Sequence, residues 1–305
     1  MDEDTYQFVI TSRGALSAEP RPCHDARMEI DVLDHVLTAD EHQRFEHDGY
    51  LLVPQALTSD QIARLMAVSD QELDRYRATP GESEYHVLNL HDLIGRDRAF
   101  LDLIDSPTTF AKVWGILGWH IQLFHTPLIV TPPAPAGADA GAYGWHQDNN
   151  RMNLDLETSP QPRVSVKVGY FLSEVSQPGM ANLWVVPGSH LQGRPVLASG
   201  QQPDGQLEVT AAAGDAIIFD RRLWHSASTN TSSTTRVFLT YGYSYRWLRP
   251  KSRMDHDELA AEIDPIRRQL LGYSSGASNY FDPTDDDVPL RTWIAEHLGD
   301  DALVP

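Results

Sequence analysis

The chain has 305 residues, enough for a substantial core without staples, and its one cysteine, Cys23, excludes an internal disulfide and a cysteine-rich zinc site. Its 24 Lys and Arg stand against 43 Asp and Glu, a net charge of −19 that repels nucleic acid and anionic membranes. The opening MDEDTYQFVI is acidic where a secretory signal is basic, and no window reaches the roughly 18 apolar residues of a membrane span, so the chain reads as a cytoplasmic protein.

Residues 1–37 show no sustained apolar period and contain the turn-prone Glu19-Pro20-Arg21-Pro22, the pattern of a partly ordered lead-in. Residues 38–305 read as one domain in three parts, of which 38–120 is helical with one strand. Thr38-Ala39-Asp40-Glu41 has the form of a helix cap with its glutamate partner, Asp48-Gly49 closes that helix, and Tyr50 to Val53 is a strand. Thr58-Ser59-Asp60-Gln61 opens a second helix with Ile62, Leu65, Met66 and Leu73 on one face.

From 121 to 247 short apolar or alternating runs are separated by Pro, Gly and Asn turns, which predicts many short strands folded on each other. Val164, Val166, Val168 and Tyr170 alternate with Ser165, Lys167 and Gly169, as in a half-buried strand. Leu183 to Val186 runs into the Pro187-Gly188 turn, Gly214-Asp215 precedes the strand Ala216 to Phe219, and Arg236 to Tyr243 is rich in aromatic and β-branched residues. The region is mainly β with flanking helices, a barrel or jelly roll. Residues 248–305 are helical and acidic segments, with Asp285-Asp286-Asp287 expected as a solvated loop.

The chemistry centres on Gly144-Trp145-His146-Gln147-Asp148. Strand positions two apart share a face, so the His146 imidazole and the Asp148 carboxylate can converge on one cation. With a distant histidine they make the facial set that suits non-haem Fe(II) and leaves coordination positions open. Thirteen histidines give about one His-x-Asp by chance, so the tripeptide alone equally describes a surface pair ahead of a strand. Two further residues add weight. His225 lies 77 residues on, room for several strands to return it to the pair, although a histidine after Trp224 also fits a satisfied core position. Arg236, eleven residues later near a strand start, needs an anionic partner if it faces a barrel interior, and a dicarboxylate accepting two hydrogen bonds would supply one. An exposed arginine is the alternative.

The succession Phe45-Glu46-His47-Asp48-Gly49-Tyr50-Leu51-Leu52-Val53-Pro54, Trp145-His146-Gln147-Asp148, Val185-Val186-Pro187-Gly188-Ser189-His190, Gly214-Asp215, Trp224-His225-Ser226, Asn230 and Arg236 closely resembles the phytanoyl-CoA dioxygenase family, over roughly Thr38 to Trp247. The resemblance implies a double-stranded β-helix (cupin-like) core, Fe(II) on His146, Asp148 and His225, and 2-oxoglutarate and O2 as cosubstrates, with Arg236 holding the 2-oxoglutarate. It also implies that Gln147 and Tyr170 touch the cosubstrate. Many members carry Lys before the Pro-Pro upstream of the iron motif, where this chain has Thr131-Pro132-Pro133, so Thr131 or Gln122 would substitute as the hydrogen-bonding partner. Pro178-Gly179-Met180-Ala181-Asn182 also departs from the Asn-Gly-Gly type sequence common there. A carboxylate at Asp148 favours hydroxylation or another oxidation over halogenation, since related halogenases carry a small residue there.

Adjacency to the motif makes Trp145, Asn149, Asn150, Arg151 and the loop from Thr131 to Tyr143 candidates for the substrate pocket, with a small organic metabolite as the expected substrate. The rival readings are a cupin-like isomerase or lyase using a divalent ion as Lewis acid, and a metal-free relative that senses or scaffolds. The presence of Arg236 argues against the first and the intact triad against the second.

Overall fold

The computed structural model describes residues 28, 30–78, 86–138, 141–148, 150–193, 197, 201–254 and 263–304. Cys23 and residues 1–27 of the expected lead-in lie outside them, and the end of that lead-in forms a 3-10 turn, Ile30–His35, that buries Val32.

The Thr38 hydroxyl accepts from Glu41 N while the Glu41 carboxylate accepts from Thr38 N at 2.9 Å, and so starts helix α1 (Ala39–Asp48). Gly49, left-handed at φ 81, ends it ahead of strand β1 (Tyr50–Val53). Thr58 and Gln61 repeat the device for α2 (Ser59–Arg77). Each such cap contributes about 1 kcal/mol. There follow β2 (Leu88–Leu90), α3 (Arg98–Leu101), α4 (Pro107–Leu117), β3 (Ile121–His125), β4 (Leu128–Thr131) and β5 (Ala142–His146). The chain continues through α5 (Asn150–Asp155), β6 (Ser165–Phe171), β7 (Leu183–Val185), β8 (Leu207–Glu208), β9 (Ala216–Asp220), β10 (His225–Ser228) and β11 (Arg236–Tyr245). Helices α6 (Pro265–Leu270) and α7 (Pro289–Leu298) close it.

The result is mainly β with flanking helices, as expected. The larger antiparallel sheet has the order β1-β9-β6-β11-β4-β2, with β3 also on β11, and the smaller has the order β5-β10-β7-β8. The helical first part of the chain therefore supplies two strands, not one: β2 pairs with β4 and β1 with β9. Strand β11 is ten residues long, and β4 and β3 pair with opposite ends of it, Arg236 facing Thr131 and Ser244 facing Gln122.

The outer face of the larger sheet packs on α4. Val166, Val168, Tyr170, Leu239, Tyr241 and Tyr243 join Phe110 and Trp114 in one buried cluster, where each large apolar side chain contributes roughly 1.5–3 kcal/mol. The three tyrosines keep partners: Tyr170 Oη lies 2.7 Å from Thr109 Oγ1, Tyr241 donates to Phe100 O and Tyr243 to Ile104 O. A second apolar cluster, including Phe171, Val185, Ile217, Phe219 and Phe238, lies between the two sheets. Strand β6 is therefore buried on both faces, a correction to the half-buried reading. The expected solvated loop at 285–287 is a 3-10 turn in which Asp287, 3% exposed, accepts hydrogen bonds from Ser275, Asn279 and Thr284. Among the described residues no helix is long and apolar enough to cross a membrane.

Candidate metal centre

Strand β10 runs between β5 and β7, with His225 in register with His146 on one side and Val185 on the other. The turn that delivers His225 is fixed by buried charge. Fully buried Asp220 accepts from Arg222 at 2.8 and 2.6 Å and from Arg163 Nε at 2.8 Å. Strand β5 ends at His146, so Asp148 sits just past it; the Asp148 backbone N–H donates to Arg221 O at 2.9 Å, and Asn153 of α5 donates to Asp148 O at 3.2 Å.

These supports bring His146, Asp148 and His225 together with one ligand atom from each within 4.8 Å of the others, the one group of this kind among the described residues. The His146 Nδ1–H donates to Gly144 O at 2.8 Å and the His225 Nδ1–H to Leu223 O at 2.9 Å. Those bonds fix the tautomer and leave each Nε2 with a free lone pair, the arrangement of imidazoles prepared for a metal. His225 Nε2 is 4.0 Å from Asp148 Oδ1. Asp148 Oδ1 accepts from Lys167 Nζ at 2.9 Å, while Oδ2, 2.8 Å from the same nitrogen, is buried and outside hydrogen-bonding geometry. A carboxylate oxygen with no hydrogen bond, beside two imidazole lone pairs, fits a divalent cation.

The electrostatics agree. Burial would raise the Asp148 pKa, but the Lys167 ammonium and His225 outweigh it and hold the carboxyl well below the ordinary range. Burial pushes His225 down to about 4 against the pull of Asp148, so this imidazole is neutral near pH 7, as a ligand must be. His146 is exposed and so opens the centre to entry.

The three side chains line a cavity of about 280 Å³ together with Arg236, whose guanidinium lies 5.3 Å over the Phe238 ring. Thr131, paired with Arg236 across β4, is buried beside it. The other candidates fall elsewhere. Tyr170 points into the helix-side cluster, on the opposite face of β6 from the cavity. Gln122 donates to Leu248 O at 2.7 Å and lines a different cleft. Gln147 and Trp145 alternate away from His146 and Asp148. Gln147 donates to Arg222 O and Trp145 Nε1 to Gln202 Oε1. Arg151 is 83% exposed and paired with Asp155, Asn150 contributes its backbone to the start of α5, and Asn149 lies outside the described residues.

Motif reading missed the cavity's other walls: Lys167 and Phe171 on β6, Phe219 on β9, Phe238 on β11, and the stacked His91 and His125. The signal for β6 was Gly169. A Cβ there would lie 2.2 Å from the Phe238 ring, a crowding that a solvent face does not impose.

The sequence profile of the phytanoyl-CoA dioxygenase (PhyH) family matches residues 45–238. An uncharacterised protein of Mycobacterium tuberculosis is 31% identical over 78% of this chain and 89% of its own. The ectoine dioxygenase of Stutzerimonas stutzeri is 22% identical over 70% of this chain and 79% of that enzyme. Among solved structures, HygX of Streptomyces hygroscopicus with nickel and 2-oxoglutarate bound superposes with a TM-score of 0.56 at 18% identity, covering 70% of this chain and 89% of HygX. The epimerase SnoN with Fe3+, alpha ketoglutarate and nogalamycin RO gives a TM-score of 0.53 at 20% identity, over 68% of this chain and 84% of SnoN. These structures share the fold. Because the family profile runs from the end of α1 to Phe238, through all three converging side chains, the chain belongs to the phytanoyl-CoA dioxygenase family.

Proposed function

We propose that the protein is a non-haem iron(II), 2-oxoglutarate-dependent dioxygenase that hydroxylates, or otherwise oxidises, a small organic metabolite in biosynthesis. Family and donor set together make iron(II) and 2-oxoglutarate its cofactors. The reading includes a single cytoplasmic domain over 38–305 and a double-stranded β-helix formed by the two facing sheets. One observation carries it: a buried Asp148 oxygen without a hydrogen bond beside two tautomer-fixed imidazoles, in a cavity that also holds Arg236.

His146, Asp148 and His225 would hold the iron on one face and leave three positions for cosubstrate and O2. When bound, iron and 2-oxoglutarate supply the oxidising power, since O2 is spent in converting 2-oxoglutarate to succinate and CO2 while the substrate gains one oxygen. Arg236 presents a planar fork to the far carboxylate of 2-oxoglutarate and fixes its orientation. Phe171, Phe219 and Phe238 keep water from the centre. A non-redox metal isomerase has no use for a dicarboxylate anchor. The ectoine dioxygenase among the relatives, and SnoN with nogalamycin RO bound among the structural neighbours, support a small-molecule substrate.

Anaerobic titration with Fe(II) and 2-oxoglutarate tests the reading. Wild type should develop the visible charge-transfer band of the chelate, and its absence would reject the assignment. Arg236→Ala should raise the 2-oxoglutarate needed for half-saturation roughly 10- to 100-fold, the worth of a charged hydrogen-bond pair of about 1.5–3 kcal/mol. Loss of iron binding in that variant would mean that its role is misassigned.

A further inference from the structure

Strand β3 contributes to two hollows. His125 lines the metal cavity, while Gln122 lines a cleft of about 580 Å³ that the dioxygenase assignment leaves unused. The cleft's main wall is the chain that follows β11, from Arg246 to Met254, and Tyr280 and Phe281 close it. That wall is pinned to β3. Gln122 Nε2 donates to Leu248 O at 2.7 Å, and the Lys251 and Ser252 backbone N–H groups both donate to Phe124 O, at 2.8 and 3.3 Å. The sheet therefore sets the shape of the cleft, and its volume falls within the roughly 300–1,000 Å³ of small-molecule sites.

The chain carries 43 Asp and Glu, yet among the described residues none lines this cleft, whereas Arg246, Arg249, Lys251 and Arg253 do. Asp92 Oδ1 accepts from the Arg253 backbone N–H at 2.7 Å, which brings a carboxylate beside that residue. The other three meet no carboxylate within ion-pair distance among the described residues. Arg246 is 1% exposed; its two Nη atoms donate to the backbone carbonyls of Gln269 and Tyr273, at 3.0 and 2.9 Å, and its Nε is buried without a hydrogen bond. Burial holds this guanidinium below its ordinary range in spite of Tyr280 and Asp287, and Asp287 spends its oxygens on Ser275, Asn279 and Thr284. Lys251 rests 5.5 Å over the Phe124 ring, and both it and Arg249 are exposed. A buried cation without a counter-ion is costly, and an anion in the cleft would offset that cost.

Flat apolar surface stands beside these charges. Trp247 is 43% exposed and Phe281 66% exposed, and Trp247 lies nearly parallel to the Tyr245 ring at 5.6 Å, which fixes its plane. We infer that the cleft is a second binding site, for a small phosphomonoester that carries a flat ring, such as a mononucleotide. Its phosphate, with about 1.5 to 2 negative charges and three acceptor oxygens, suits the Arg249 fork and the Lys251 ammonium above the fixed charge of Arg246. Its ring packs on Trp247 and Phe281. A monocarboxylate brings a single charge to three cations, and an apolar ligand brings none. A polynucleotide shares the chemistry of the mononucleotide but is repelled by the net charge of −19. The site is separate from the metal cavity and needs neither iron nor 2-oxoglutarate.

The probes are adenosine monophosphate, uridine monophosphate and phenyl phosphate, set against adenosine, uridine, phenol and inorganic phosphate. Each is titrated by calorimetry into the full chain with a chelator present and no iron. At least one ring-bearing phosphate should bind saturably, with its dephosphorylated partner and inorganic phosphate each at least tenfold weaker. Arg249→Gln with Lys251→Gln should weaken that probe at least tenfold, and so should Trp247→Leu with Phe281→Leu. All four side chains are exposed, so both double variants should melt with wild type and keep its affinity for Fe(II) and 2-oxoglutarate. Three phosphates that all fail to bind, a nucleoside or phenol that binds as tightly as its phosphate, or binding unchanged in both double variants would each overturn the proposal. So would loss of the probe in Arg236→Ala or its displacement by 2-oxoglutarate, since either would put it in the metal cavity. Iron is absent throughout, so failure of the chelate band in wild type would reject the dioxygenase reading and leave this one standing.

Discussion

Replacement of Gly169 by alanine tests whether the cavity wall and Arg236, the proposed 2-oxoglutarate anchor, form one packed unit. The new Cβ would stand 2.2 Å from Phe238 Cζ and 2.8 Å from Cε2. Favourable carbon contacts begin at about 3.5 Å, so the ring must retreat by more than ~1 Å. It has little room: Phe238 is 4% exposed, packs on Phe171 at 4.8 Å between ring centroids and carries the Arg236 guanidinium over its face. Overpacking of this kind costs about 1–3 kcal/mol, a fall in Tm of roughly 2–6 °C for a chain of this size. The displaced ring should carry Arg236 with it. A positioning group misplaced by ~1 Å costs on the order of 100-fold, so the half-saturating 2-oxoglutarate concentration should rise roughly 10- to 100-fold. Differential scanning fluorimetry and titration of the chelate band read the two effects, and adding Phe238→Leu to Gly169→Ala should relieve both. Gly169→Ala with wild-type melting and wild-type 2-oxoglutarate affinity would refute the reasoning, as would a double variant worse than the single one.

Tyr170→Phe removes the hydroxyl that meets Thr109, so denaturant unfolding should show a loss of about 1 kcal/mol while the affinity for 2-oxoglutarate stays unchanged; a loss of affinity instead would put Tyr170 back at the cavity. The metal-free protein should also lose stability on mild acidification. Burial holds His225 down to about 4 and His125 to about 3, against an ordinary 6.5, and it lowers His120 and His190 in the same direction. Between pH 6.5 and about 4 the unfolded chain therefore binds protons that the folded one refuses. This stability is fully present above pH 6.5 and falls with pH by up to about 1.4 kcal/mol per unit for each imidazole. Urea midpoints at pH 7, 6 and 5 with a chelator present should show the slope, and His125→Asn should reduce it; a flat profile in wild type would contradict the burial of these rings.

What the sequence disclosed and what it withheld divide along one physical line. Caps, turns and strand runs are local, so Thr38 with Glu41, Thr58 with Gln61 and the Tyr50–Val53 strand were legible residue by residue. The triad, whose side chains do converge, was legible through Arg236 and the ordered motifs around it, not through the His-x-Asp tripeptide alone. Which face of a strand meets water is not local. The alternation from Ser165 to Phe171 defines two faces, but a second sheet covers the one that carries Lys167, so a lysine that looks solvent-facing ends on Asp148, the proposed carboxylate ligand. Tyr170 and Gln147 were expected at the cosubstrate from the family resemblance and Trp145 in the pocket from adjacency to His146, whereas the Tyr170 hydroxyl meets Thr109, Gln147 donates to Arg222 O and Trp145 donates to Gln202. Gln122 and Thr131 show the remaining limit. Strands β3 and β4 both pair with β11, and only the register decides that Thr131 lands against Arg236 while Gln122 lands at Ser244. Glycine was informative on β6: a Cβ at Gly169 would lie 2.2 Å from the Phe238 ring, so that position has no room for a side chain. A glycine on the polar side of an alternating strand therefore argues for an interior face, here the face from which Lys167 and Phe171 line the cavity.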